Sequence, residues 1–293
     1  MTGNDNRLGE KIRQLRTQLG ITQKDLAGDK ITRNMLSLIE SGTASPSVST
    51  LVYIAERLGT PAGYFFASTE EEEGRFLKLN ILSQLKDCFR QKKFRECEEI
   101  CASLPHYAFD DELSYMLAAS FLGTACESAA SLNLRAAMTD LDRAQHYGDL
   151  SLYTGEHFRR AVQFHRELFR SVCTDQIPDI LCDQEVCGPY VPSSLVLYFR
   201  CLKQLSAGEE TAQEFPRGSY HDKHVAALLM MREDRLPEAQ KRLRELSLDS
   251  SLPYYMQYRV LSDLEDIANT AGDFRTAYSS ARRKLEFIDR FKI

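Results

Sequence analysis

Apolar residues at Leu8, Ile12, Leu15 and Leu19 step by four, three and four positions, the spacing of one helix face, and Gly20 ends the run. The pattern predicts a first helix over about residues 6–19. Thr22, followed three positions later by Asp25 and then by Leu26 and Ala27, reads as the capped start of a short second helix that Gly28 closes. Thr32 can cap a third, with Met35, Leu36 and Ile39 facing inward and Ser41-Gly42 at its end. After the turn Ser45-Pro46-Ser47, the residues Val48, Leu51, Val52, Ala55 and Leu58 define a fourth helix ending at Gly59. Thr60-Pro61 opens a fifth, short helix carrying Tyr64, Phe65 and Phe66, since proline suits a first helical position.

The run Glu70-Glu71-Glu72-Glu73-Gly74 interrupts this pattern, and adjacent like charges favour either a solvated segment or an acidic helix start. The expected organisation is a five-helix domain over 1–66, an acidic linker over 67–74 and a second domain over 75–293. Helical patterns fill that second domain, broken at Pro105, Gly148, Gly188-Pro189, Gly208, Pro216-Arg217-Gly218, Ser250-Ser251 and Gly272. Four stretches in it share a large apolar residue followed three later by a small one: Phe94 to Cys97, Leu134 to Ala137, Leu236 to Ala239 and Phe274 to Ala277. Their intervals of 40, 102 and 38 residues are near one, three and one repeats of about 34, the period of stacked antiparallel helix pairs. The fold class expected is all-α, with a TPR-like α-solenoid of helix hairpins after the N-terminal domain; an irregular α bundle is the other arrangement that fits.

The segment Ile21-Thr22-Gln23-Lys24-Asp25-Leu26-Ala27, with Thr32-Arg33-Asn34-Met35-Leu36-Ser37-Leu38-Ile39-Glu40-Ser41-Gly42, strongly resembles the helix-turn-helix of phage-repressor-like (XRE) regulators. The resemblance spans residues 7–66 and implies a lambda-repressor-like DNA-binding domain. A helix entering the major groove needs short polar side chains near its N-terminus, aimed at base edges. On the third helix Arg33 suits a bidentate contact with guanine, Asn34 one with adenine, Ser37 either role, and Leu38 a thymine methyl. The resemblance further implies that Gln23 touches DNA at the groove edge, that Thr32 lies near a phosphate, and that Arg16 and Glu40 form an internal ion pair. Since the loop Gly42-Thr43-Ala44-Ser45 holds no Lys or Arg, phosphate affinity falls to backbone amides, Lys24, Lys30 and Arg13. The same small unit, without DNA, would serve as a dimerisation module with Arg33, Asn34 and Ser37 as a solvated face.

A repressor-type head joined to a helical array resembles, in architecture, the peptide-pheromone-responsive regulators of the Rgg, PlcR and PrgX kind. That resemblance implies a homodimer held by the C-terminal domain, a double-stranded DNA operator and a peptide effector, as in quorum sensing. An antitoxin-like or adaptor protein, whose array grips a protein partner constitutively, is the alternative. By residue type alone, Tyr153, His157, Arg160, Tyr198, Arg200 and Tyr258 are candidates for a ligand groove, and equally for core or rim positions.

No P-loop, GxGxxG, HExxH or GxSxG occurs, so no enzyme activity and no cofactor are expected. His221 and His224 flank Asp222 but lack a third ligand, and Cys97/Cys101 and Cys182/Cys187 do not match a zinc knuckle, so no metal is expected. The longest strictly apolar run, Val225 to Met231, is far short of the roughly 20 residues a bilayer span needs. With no signal-like start, the eight cysteines read as free thiols of a cytoplasmic protein. The net charge of −5 argues against nucleic acid until it is divided. Residues 1–66 carry eight Lys and Arg against six Asp and Glu, so the acidity belongs to the rest of the chain.

Overall fold

The N-terminal apolar spacing is realised as α1 (Gly3–Gln18), α2 (Gln23–Ala27), α3 (Arg33–Glu40) and α4 (Val48–Arg57). The expected fifth helix is a 3-10 helix, Ala62–Phe66, held by i→i+3 bonds such as Tyr64 N–H to the Pro61 carbonyl. Leu8, Ile12, Leu26, Leu36, Ile39, Leu51, Ile54, Leu58 and Phe65 close one buried core. At Gly9 the backbones of α1 and α3 nearly touch: a Cβ there would lie 2.2 Å from the Ile39 carbonyl oxygen, so only glycine fits. The computed structural model describes residues 3–211 and 215–291. Among them are fourteen α-helices, four 3-10 helices and no strand.

The expected acidic linker over 67–74 is not a linker. Thr69 caps α5 (Glu70–Arg90), accepting from the Glu72 N–H, and the four glutamates fill that helix's first turn, where the dipole favours negative charge. Phe76 and Leu77 of α5 pack against the N-terminal core. The first compact unit accordingly runs past residue 66, through α6 (Phe94–Ala102), to Leu113, and the second is Ser114–Ile293.

From α7 (Asp111–Ala130) onward the chain forms α8 (Leu134–Leu150), α9 (Glu156–Ser171), α10 (Ser193–Ser206), α11 (Tyr220–Arg232), α12 (Leu236–Leu248), α13 (Tyr254–Thr270) and α14 (Phe274–Arg290). The four large-to-small pairs seen in sequence mark one recurring device. Phe94, Leu134, Leu236 and Phe274 each open the second helix of a hairpin, after a three-residue turn whose middle residue has positive φ: Lys92 (58°), Leu132 (60°), Asp234 (60°) and Gly272 (73°). Each turn carries the same six-to-one backbone bond, from Lys93 N–H to Cys88 O, Asn133 to Ser128, Arg235 to Met230 and Asp273 to Ala268, at 2.8–2.9 Å. The small residues Cys97, Ala137, Ala239 and Ala277 are all buried, letting the paired helices approach. The interval from Leu134 to Leu236 is not three further copies of 34 residues. It holds α8 to α11 and two 3-10 helices, Asp179–Cys182 and Gln184–Val186.

Candidate nucleic-acid interface

The two short helices of the motif are shaped by local hydrogen bonds. Thr22 accepts from Asp25 N–H at 3.1 Å while the Asp25 carboxylate accepts from Thr22 N–H at 3.1 Å, a reciprocal cap. The Thr22 hydroxyl and amide hold the Asp25 carboxyl below its ordinary pKa. Gly28 ends α2 at φ +54°, and a Cβ there would stand 2.2 Å from the Tyr53 hydroxyl oxygen. That hydroxyl donates to the Ala27 carbonyl at 3.0 Å, and Arg57 Nη2 donates to the Asp25 carbonyl at 2.5 Å, so α4 supplies partners for the orphan end of α2. Thr32 then caps α3 through the Met35 N–H.

Along α3 the side chains divide into two sets. Leu36 and Ile39 enter the core, and Glu40 is buried beside them. Arg33, Asn34, Ser37 and Leu38 are exposed, Leu38 at 45%. Glu40 fixes the orientation of this face. It accepts from Arg16 Nε at 2.6 Å and Nη2 at 3.1 Å, and from Gln23 Nε2 at 2.8 Å, while Arg16 Nη1 donates to the Ile21 carbonyl. Hydrogen bonding to Glu40 holds the Arg16 guanidinium above its ordinary pKa. One carboxylate therefore ties α1, the α1–α2 loop, α2 and α3 together, and the ion pair implied by the resemblance is present.

Gln23, Lys24 and Arg33 line a single shallow hollow with Gly20 and Thr22, so α2 and the start of α3 share one polar surface. Gln23 has a structural bond that the sequence did not show, and Lys30 is drawn aside, its ammonium 5.0 Å from the centre of the Tyr53 ring. Arg57 approaches the same ring at 5.6 Å. Sequence reading missed Tyr53 and Arg57, although their i,i+4 spacing on α4 is the available signal.

The proposed ligand-groove residues do not form one surface. Tyr198, expected in the groove, is instead a core residue, fully buried with its hydroxyl 2.8 Å from His224 Nδ1. Arg160 is engaged by Glu156 and Glu185, Arg200 donates to the Cys182 carbonyl, and the Lys284 ammonium lies over the Tyr258 ring. Tyr153 and His157 are exposed. His224 Nε2 is 2.8 Å from the Asp263 carboxylate and His221 Nε2 is 3.0 Å from the Tyr255 hydroxyl, so these ring nitrogens serve side-chain networks. All eight cysteines are free thiols, and burial pushes Cys101 and Cys126 up to about 12 and Cys173 to about 11, away from reactive thiolate. No described helix is long and apolar enough to cross a membrane.

No curated protein matches this sequence. Among solved structures, the crystal structure of Bacillus thuringiensis PlcR in complex with the peptide PapR7 and DNA aligns over 97% of this chain and 96% of that chain, at 15% identity. The TM-score is 0.23. Residues 9–71 match the family model of a helix-turn-helix domain, the unit that α1 to α4 and the start of α5 build.

Proposed function

We propose that the protein is a sequence-specific transcriptional regulator that works in the cytoplasm as a homodimer, reads operator DNA with α3, and is tuned by an effector held in its second unit. The observation that carries this reading is the division of α3. Its inner face is locked by the Glu40 network, and its outer face presents a guanidinium, a carboxamide, a hydroxyl and an apolar side chain in adjacent turns. That mixture suits base edges, whose donors, acceptors and thymine methyls alternate along the major groove. The excess of basic over acidic residues in 1–66, against the acidic remainder, would confine DNA contact to this head.

In the second unit, a cleft of about 470 Å³ is lined by apolar Leu202, Leu228 and Met231 together with polar His224, Arg259 and Asp263. Its size and mixed lining suit a short peptide better than an ion. The reading is tested by genome-wide mapping of bound DNA followed by gel shifts on the recovered sites, with and without peptides encoded near the gene. Enrichment of one palindromic motif, lost in Arg33→Ala, supports regulation; binding with no sequence preference overturns it.

A further inference from the structure

The cleft lined by Leu202, His224 and Arg259 has an unbalanced set of charges. Three carboxylates, Asp175, Asp263 and Asp266, share it with two guanidinium groups, Arg232 and Arg259. Among the described residues, Asp263 is engaged by His224, whereas the side chains of Asp175 and Asp266 accept no hydrogen bond and form no ion pair. The nearby cations are held elsewhere. Arg232 donates to the Gly208 and Glu209 carbonyls, and Lys284, which donates to the lining Ser262 hydroxyl at 3.3 Å, pairs with Glu265 at 2.7 Å. Asp266 stands above its ordinary carboxylate pKa, first through partial desolvation and then through repulsion from Asp263, with Glu265 and Asp175 adding to it against the pull of Lys284. Two helices also end at the cleft: Leu205 and Ser206 lie in the last turn of α10, and Met231 and Arg232 in that of α11. The C-terminal ends of their dipoles add partial negative charge.

Arg259 is an independent sign of a ligand. It is only 7% exposed, and its two Nη atoms donate to the carbonyls of Asp175 at 3.4 Å and Gln176 at 3.0 Å. Its buried Nε has no acceptor among the described residues. A buried donor left unpaired is costly, so it marks a place where an acceptor is wanted. Much of the remaining lining is apolar, from Ile177, Leu202, Leu205, Leu228 and Met231. We infer that the cleft takes a ligand with a primary ammonium beside an acceptor oxygen on an apolar body. The ammonium pairs with Asp175 and Asp266, the oxygen with Arg259, and the apolar body packs on Leu202, Leu228 and Met231. The amino-terminal residue of an apolar peptide and a free apolar amino acid share this chemistry, and the same carboxylates repel an anionic effector.

This inference rests on the effector reading above, and the test separates the two. Isothermal titration calorimetry on the full-length protein compares leucyl-leucinamide with its N-acetyl form, which keeps the apolar body and the acceptors but lacks the ammonium. The free amine is expected to bind at least about tenfold more tightly than the acetylated form. The paired change Asp175→Asn and Asp266→Asn, at exposed positions and with helicity checked by circular dichroism, should weaken the free amine about tenfold and leave the acetylated form unchanged. Leucinamide distinguishes the sources: affinity equal to that of the dipeptide assigns the cleft to a free amino acid, and weaker binding assigns it to a peptide terminus. Equal affinity for the free and acetylated forms, no effect of the paired change, or no binding of either amine at millimolar concentration overturns the ammonium site. Gel shifts on operator DNA with peptides encoded near the gene then decide the effector reading separately. A shift that the paired change does not alter leaves that reading intact, and no shift with any peptide overturns it too.

Discussion

The ammonium of Lys11 and the carboxylate of Glu73 stand 2.7 Å apart, their side chains only 6% and 11% exposed. Lys11 also donates to the carbonyls of Tyr64 at 3.0 Å and Ala67 at 2.8 Å, and Glu73 accepts from the Tyr107 hydroxyl. This cluster clamps α1, the 3-10 helix and α5 into one body. A buried pair often adds little net stability, because desolvation offsets the attraction, but removing one member strands the other charge. Lys11→Met should therefore cost about 3 kcal/mol, since it leaves the buried carboxylate only the Tyr107 hydroxyl and the Arg7 guanidinium 3.7 Å away, and takes the side-chain donor from the Ala67 carbonyl. Glu73→Gln should cost less, because the amide oxygen still accepts from Lys11. Calorimetric unfolding of the full chain orders the two variants; a smaller loss for Lys11→Met would contradict the clamp.

The Glu40 network predicts an opposite pattern for neighbouring residues. Arg33→Ala and Asn34→Ala should each weaken binding to the cognate site by about 1–3 kcal/mol while leaving the unfolding temperature unchanged, because both side chains are exposed. Arg16→Ala should lower the unfolding temperature first, as it leaves the buried Glu40 with only Gln23. Fluorescence anisotropy on operator DNA, read beside thermal melts, checks this. Equal operator affinity for wild type, Arg33→Ala and Asn34→Ala would sink the assignment of α3 as the reading helix.

At the hairpin turns the backbone conformation makes the prediction. Left-handed geometry costs an ordinary residue about 1–2 kcal/mol and glycine little. Asp234 and Gly272 occupy the same turn position with φ of 60° and 73°, and Asp234 is exposed. Asp234→Gly should raise stability by about 0.5–1 kcal/mol, and Gly272→Ala should lower it by about 1 kcal/mol. Urea melts with unchanged m-values would confirm that both act on stability alone.

Helix spacing, the Thr22–Asp25 capping box and the Arg16–Glu40 pair were legible because each is encoded within a few residues or carried by a specific motif. The repeated large-to-small pairs were legible for the same reason, since one turn geometry recurs at each. The boundary at 67–74 was misread because a run of glutamates looks solvated, whereas its partner Lys11 lies at the far end of the unit in sequence. Tyr198 was misplaced because residue type does not tell which side of α10 meets His224. The Gln23–Glu40 bond was hidden because both residues already had an expected role, one on DNA and one toward Arg16.

His221 links packing to pH. Burial, aided by the nearby His224, pushes its pKa down from 6.5 to about 4, and its ring stacks on Tyr198 with centroids 4.6 Å apart. The folded state thus holds His221 neutral while the unfolded chain takes up a proton near pH 6.5. Stability contributed by the neutral ring is complete above that value and is lost as pH falls from 6.5 through 4. His221→Phe keeps an aromatic ring for Tyr198 but cannot titrate, and it removes the bond to the Tyr255 hydroxyl at every pH. Wild type should therefore be the more stable protein at pH 7, with its advantage over His221→Phe shrinking as the pH is lowered to 4. Carboxylates that titrate in the same range are common to both proteins and cancel in the difference. Paired thermal melts across this range provide the test, and a constant difference in unfolding temperature would show that His221 is not held neutral by the fold.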